Sequence, residues 1–293
     1  MVGVDRFELS APRPQTVCSA RLSYTPILKS VAHIPSTVRP RRIVTAMQDD
    51  DLTLRLLRVA AAPFEDDQGA FRLHMETTRG PIDAVFHAVE GGTGAAIFVG
   101  GAMGGIDGPA DKIYSRLPNL LREHEISSLR IEYRKPNDLE ECVLDVLAGC
   151  SFLKGIGATD AVLVGHSFGA AVVISAAELA PLARGVVSMS PQLHGTRSVE
   201  NIDMPLLLVH GMADTVLSHE ASEDIYRRAQ EPKRIVLYAE AGHSLIQAKD
   251  DIATLLLDWI PATLDGRSPE GGRTEVEHTS DAGNSPPAQG SSA

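Results

Sequence analysis

From residue 71 onward the apolar positions fall into short runs, separated by breaks rich in polar residues, glycine and proline. Residues 71–77 (FRLHMET) and 82–89 (IDAVFHAV) flank a Gly80-Pro81 turn and read as two strands. Residues 94–100 (GAAIFVG), 161–165 (AVLVG), 185–189 (GVVSM), 205–210 (PLLLVH) and 234–238 (RIVLY) are runs of strand length with apolar residues on both sides. That is the pattern of strands covered on both faces. Residues 128–133 add another strand. Helices are expected at 110–124, 139–154, 168–179, 221–229 and 250–264; in the second, Val143, Val146, Leu147 and Leu153 repeat at helical spacing.

Strands alternating with helices predict an α/β fold: a mostly parallel central sheet with helices on both faces. In such sheets ligands bind beyond the C-terminal ends of the strands. No internal repeat is visible.

The ends of the chain differ from its middle. Residues 1–46 hold five prolines, seven basic residues and two acidic ones, a net of +5, whereas the rest of the chain carries −16. This segment reads as lying outside the folded domain. It is either an over-long start ahead of Met47 or a targeting segment, and mass spectrometry of the mature N-terminus separates the two. Residues 47–264 form the expected domain. Residues 265–293 lack aromatic and nearly all aliphatic side chains and read as a disordered tail.

Across all 293 residues the formal charge is −11, which gives no field for gathering nucleic-acid phosphates. No apolar run reaches the roughly 18–20 residues of a membrane span. The three cysteines, Cys18, Cys142 and Cys150, form no pairing pattern. The last two fall on one expected helix about 12 Å apart, too far to bridge. Sparse cysteine fits a reducing compartment, so the chain is read as cytoplasmic, with organelle targeting by residues 1–46 left open. No cluster suggests zinc, and no cofactor is expected.

The chemistry-bearing signal is Gly165-His166-Ser167-Phe168-Gly169, with an apolar strand before it and a small-residue helix after. A sharp strand-to-helix turn forces the serine into strained backbone and crowds its flanks, where glycine fits. The serine hydroxyl then stands at a helix N-terminus, which favours developing negative charge. A hydroxyl is a weak nucleophile until a base takes its proton. In this arrangement the acid and the histidine follow the serine in the chain. Asp214 lies just beyond the strand 205–210, and His243 just beyond 234–238, at the same sheet edge as Ser167.

Other histidines fit less well. His74 and His87 fall within strands, His124 and His219 on helices, and His210 precedes Gly211 at a strand end. His166 adjoins the nucleophile, and His194 follows a strand end; both are retained as pocket candidates. The oxyanion of an acyl-transfer intermediate needs backbone N–H donors. Phe168 supplies one. The loop Gly101-Ala102-Met103-Gly104-Gly105 supplies the other, from Ala102 or, second, from Gly101. Met103 is a further pocket candidate. Arg134 follows strand 128–133 and could hold a substrate carboxylate, or pair with Glu140 or Glu141 instead.

Residues from about Phe71 to Leu264 resemble the α/β-hydrolase superfamily, through VGGAMGG, GHSFG, HGMADTV and AGHS. The resemblance is to compact members near the dienelactone hydrolases. It implies Ser167 as nucleophile, Asp214 as orienting acid and His243 as base. Two departures stand out. Gly100-Gly101 replaces the common His-Gly before the oxyanion loop, and serine replaces the cysteine nucleophile of dienelactone hydrolases. About a dozen residues separate Gln192 from Pro205, too few for a large cap domain.

The expected function is hydrolysis of a small carboxylic ester or thioester through an acyl-enzyme on Ser167. Acyl transfer or perhydrolysis with the same triad, and ligand binding without turnover, are the alternatives. The sequence does not indicate an oligomeric state.

Overall fold

The computed structural model describes residues 18–20, 53–67, 69–267 and 271–276. Eleven strands form one sheet: β1 (Cys18–Ala20), β2 (Leu56–Pro63), β3 (Phe71–Thr77), β4 (Ile82–His87), β5 (Gly94–Val99), β6 (Ile126–Glu132), β7 (Asp160–His166), β8 (Ala183–Met189), β9 (Leu206–Gly211), β10 (Lys233–Tyr238) and β11 (Gly272–Val276). Their spatial order is β1-β2-β3-β4-β6-β5-β7-β8-β9-β10-β11. Pairing is antiparallel from β1 through the β4–β6 contact and parallel from β6 to β11. Among the described residues five helices accompany it: α1 (Pro109–Leu121), α2 (Leu139–Gly155), α3 (Phe168–Ala177), α4 (Glu220–Arg228) and α5 (Lys249–Leu264).

The two-faced burial expected of the apolar runs is present. Ala95, Ile97 and Val99 of β5 and Leu163 of β7 pack with Val146 of α2 and Val172 of α3. The intervening Ala96, Phe98, Val162 and Val164 pack with Leu117 of α1 and with Leu256 and Trp259 of α5. A period of two divides each strand between two apolar layers. Two of the helices show a local start signal. The Asp138 carboxylate caps α2 by accepting from Glu141 N at 3.2 Å. Pro109 opens α1, where a missing N–H costs nothing.

Between β8 and β9 the chain makes only a short 3-10 turn, Arg197–Asn201, so no large cap stands over the sheet edge among the described residues. Under α1, Arg130 of β6 is 1% exposed and paired with Asp67. Its Nη1 donates to Ser115 Oγ at 2.7 Å, and Ser115 Oγ donates to Asp107 Oδ1 at 2.8 Å. This chain of bonds ties the β2–β3 connection to the segment leading into α1.

Three strands depart from the sequence expectation. β2 went unpredicted because it lies near the sheet's edge, with Val59 its one fully buried residue. Within the segment expected to be a disordered tail, Gly272–Val276 forms β11 in parallel register with β10. Its side chains are exposed or half-buried, so backbone pairing rather than apolar content defines it. Within the segment expected to lie outside the folded domain, Cys18–Ala20 forms β1 and joins the sheet by antiparallel pairing with β2. The competing readings of residues 1–46 otherwise lie outside the described residues, as do residues 277–293 of the tail.

Candidate active site

Ser167 ends the turn from β7 into α3 with φ 59° and ψ −118°, strained backbone for a residue bearing a Cβ. The flanking glycines are required by space. A Cβ on Gly165 would stand 2.1 Å from Gly169 O, and one on Gly169 would stand 2.2 Å from Gly100 O. The turn is thus wedged against the end of β5. Phe168 opens α3, where the first N–H groups have no intrahelical acceptor.

The three side chains proposed from sequence come together. His243 Nε2 lies 3.0 Å from Ser167 Oγ, and His243 Nδ1 lies 2.7 Å from Asp214 Oδ2. A carboxylate only accepts, so Nδ1 carries the proton and Nε2 is free to accept from the serine hydroxyl. The Asp214 side chain is fully buried. Its Oδ1 accepts from Val216 N at 2.7 Å and Leu217 N at 2.9 Å. Burial alone would raise the Asp214 carboxyl. The Leu217 N–H, His243 and the Val216 N–H outweigh it and hold the group below its ordinary value, hence ionised.

His210 is a member of this cluster that sequence reasoning left as a strand-end residue. Its Nε2 donates to Asp214 Oδ2 at 3.2 Å and to Leu217 O at 3.1 Å, and its Nδ1 accepts from Ser222 Oγ at 2.7 Å. The signal was available only as the spacing from His210 to Asp214, four residues around the turn after β9. His166 points across the turn, its Nε2 2.9 Å from His243 O.

The loop after β5 lies over Ser167. Gly101 and Gly104 bridge, and a Cβ on Gly101 would be 3.6 Å from Ser167 Cβ and 4.0 Å from Oγ. Ala102 follows in this loop. Met103 is 93% exposed and stands at the rim rather than lining a closed pocket.

Two pocket candidates belong elsewhere. Arg134 is turned inward with its side chain 4% exposed. It pairs with Asp145 and with Glu141, at 2.9 Å in the second case, and donates to Arg79 O at 3.0 Å. Arg79 first, then Lys135 and Arg134, outweigh burial and hold Glu141 down at about 2. Its guanidinium is enclosed by these partners rather than offered to a substrate carboxylate. His194 lines a separate cleft of about 680 Å³ with Ser175, Glu178, Arg197 and Asn201. Ser175 Oγ donates to Gly195 O at 2.6 Å, which draws this segment along α3. Ser175 lies roughly 12 Å along the helix from the elbow.

Among the described residues, no group of three or more His, Cys, Asp or Glu side chains is placed to hold a metal. No helix there is long and apolar enough to cross a membrane.

Burial also gives the protein a pH signature. His87, His166 and His210 are all pulled below the ordinary histidine value, with desolvation the largest cause in each; His166 falls to about 4. The unfolded chain takes up these protons near pH 6.5 and the folded chain only below it. The stability they contribute is therefore complete above about 6.5 and lost as pH falls toward 4, roughly 3 kcal/mol from His166 alone. Thermal melting is expected to drop over that window, and His166→Gln to flatten part of the drop. A melting temperature constant across it would contradict the assignment.

The comparisons agree on the fold. The model of the family described as serine aminopeptidase, S33, matches residues 194–250, a stretch holding Asp214 and His243 but not Ser167. YfhR of Escherichia coli (strain K12) is 48% identical over 40 residues, 14% of this chain and 14% of that protein's length. Est1E from Butyrivibrio proteoclasticus superposes with a TM-score of 0.58 at 15% identity, covering 66% of this chain and 99% of that one. A dienelactone hydrolase from Anabaena variabilis superposes with a TM-score of 0.54 at 18% identity, covering 62% and 92%. Acetyl xylan esterase 1 from Thermoanaerobacterium gives 0.52 at 16% identity, covering 70% and 86%. The chain therefore has the α/β-hydrolase fold, and in fold it is similar to Est1E and to the dienelactone hydrolase from Anabaena variabilis.

Proposed function

We propose that the protein is a serine hydrolase of small carboxylic esters or thioesters. The observation that carries this reading is the continuous path from Ser167 Oγ through His243 to Asp214, with steps of 3.0 and 2.7 Å. Ser167 Oγ attacks the acyl carbonyl carbon while His243 Nε2 takes its proton. Asp214 fixes the imidazole tautomer and stabilises the imidazolium. The N–H groups of Phe168 and of Ala102 or Gly101 hold the oxyanion. His243 then gives its proton to the leaving alcohol or thiol. In the second half it takes a proton from water, which attacks the acyl carbon and frees Ser167.

Esters are favoured because several similar folds are named as esterases, Est1E and acetyl xylan esterase 1 among them. No metal or organic cofactor enters the scheme. The test is a panel of esters and thioesters of graded acyl length, read with labelling by a fluorophosphonate probe. Turnover of at least one short-chain substrate with modification of Ser167 is the expected result. A folded chain that neither turns over any member of the panel nor takes the label would overturn the proposal.

A further inference from the structure

The scheme above leaves His166 without a task, yet this side chain touches the base. It is the last residue of β7 and directly precedes Ser167. Its Nε2 lies 2.9 Å from the backbone carbonyl oxygen of His243, and the two imidazole centroids are 4.9 Å apart. A carbonyl oxygen only accepts, so His166 Nε2 bears the proton and donates. Because His166 and Ser167 are consecutive, this bond closes a ring. It runs from the elbow backbone through the His166 side chain to the His243 backbone, out along the His243 side chain and back to Ser167 Oγ.

The same loop is held from its other flank. Ala110 N donates to Ser244 O at 2.8 Å. Ala110, Asp111 and Lys112 all have left-handed backbone, with φ of 49°, 60° and 57°. Such backbone is unfavourable for a residue bearing a Cβ. Two successive carbonyls, of residues 243 and 244, are therefore gripped by donors from two different elements.

We propose that His166 is a positioning residue: by donating to the His243 carbonyl, it sets how far the His243 imidazole reaches toward Ser167. The inference rests on the hydrolase reading above. Burial keeps the His166 ring neutral at ordinary pH, so the brace places no positive charge beside His243 when that ring takes the serine proton.

The test compares His166→Leu with His166→Gln in the full chain. Leucine fills much of the volume without a donor, whereas glutamine can hold an N–H near the position of the histidine Nε2. The leucine variant is expected to lose about 10- to 100-fold in kcat with KM little changed, the cost of displacing a reacting group by a fraction of an ångström to an ångström. Fluorophosphonate labelling of Ser167 should slow by the same factor. The glutamine variant should return most of both rates. In proton NMR the downfield Nδ1 proton of His243 should persist in the wild type and the glutamine variant, and weaken or shift in the leucine variant.

Two results would overturn the proposal. One is a leucine variant with wild-type kcat, labelling rate and downfield proton. The other is a glutamine variant that loses as much as leucine in step with melting temperature, which would mark a packing role only. The NMR signal needs no substrate. A wild type inactive on every ester would therefore sink the hydrolase reading while the resonance still decided the role of His166.

Discussion

Ser167→Ala is expected to lower kcat for ester hydrolysis by roughly 10⁴- to 10⁶-fold, with KM little changed and fluorophosphonate labelling abolished. On the proposed mechanism Ser167, His243 and Asp214 act as a unit, so removing the hydroxyl forfeits the contribution of the other two as well. What remains is catalysis by the oxyanion donors and substrate binding alone. The fold should be indifferent to the change. Ser167 occupies the N-cap position of α3 but makes no side-chain capping bond, so its hydroxyl contributes nothing to the helix. Alanine meets the same backbone strain at φ 59° that serine does. The His243–Asp214 bond does not involve the hydroxyl and is kept. An unchanged melting temperature with lost turnover is therefore the specific signature. A variant keeping more than about one hundredth of wild-type kcat would remove Ser167 from the chemistry.

Gly211→Ala should be the most damaging small substitution away from the elbow. A Cβ at Gly211 would lie 2.0 Å from Ala241 O, 2.5 Å from Ala241 C and 2.9 Å from Gly242 O. All three are backbone atoms, so no side chain can swing aside. The methyl group must push the end of β9 away from the turn that follows β10. Met212 N donates to Tyr238 O at 2.8 Å and Ala213 N to Ala241 O at 3.1 Å, and these bonds would stretch first. Asp214 lies on one side of this contact and His243 on the other, so the wedge also opens the triad. The expected loss is about 3–4 kcal/mol of stability and at least about 100-fold in kcat. Gly242→Ala is the matched control. Its Cβ would meet nothing nearer than Ala213 O at 4.0 Å. Urea unfolding and ester kinetics on the pair check the argument, and equal behaviour of the two variants would refute it.

The parts of the molecule legible in the sequence were those whose physics is local. The elbow declares itself because Gly165 and Gly169 sit where a strained serine turn leaves no room for a Cβ. Strands β5, β7, β8 and β9 could be read because burial on both faces demands unbroken apolar runs. Asp214 and His243 were found from their order and their place after strands. The rest depends on what lies across a gap in space. Whether His166 and His210 do anything is decided by the carbonyl or carboxylate opposite each ring, which no run of neighbours encodes. Arg134 follows a strand end as a pocket residue would, yet the carboxylates of Glu141 and Asp145 on α2 claim it. β1, β2 and β11 were missed because pairing at or near a sheet margin uses main-chain groups, which every sequence carries.

The last of these strands bears on how shortened versions of the protein should be cut. Stopping at the end of α5, where the compositional boundary falls, would strip β11 away and leave one flank of β10 with a row of unsatisfied amides and carbonyls. Ile235, Val236, Leu237 and Tyr238 line that flank and are otherwise buried, so a second molecule could dock there strand to strand. Such a truncated protein would keep Ser167, Asp214 and His243 while clumping in the tube. Its terminus belongs beyond Val276.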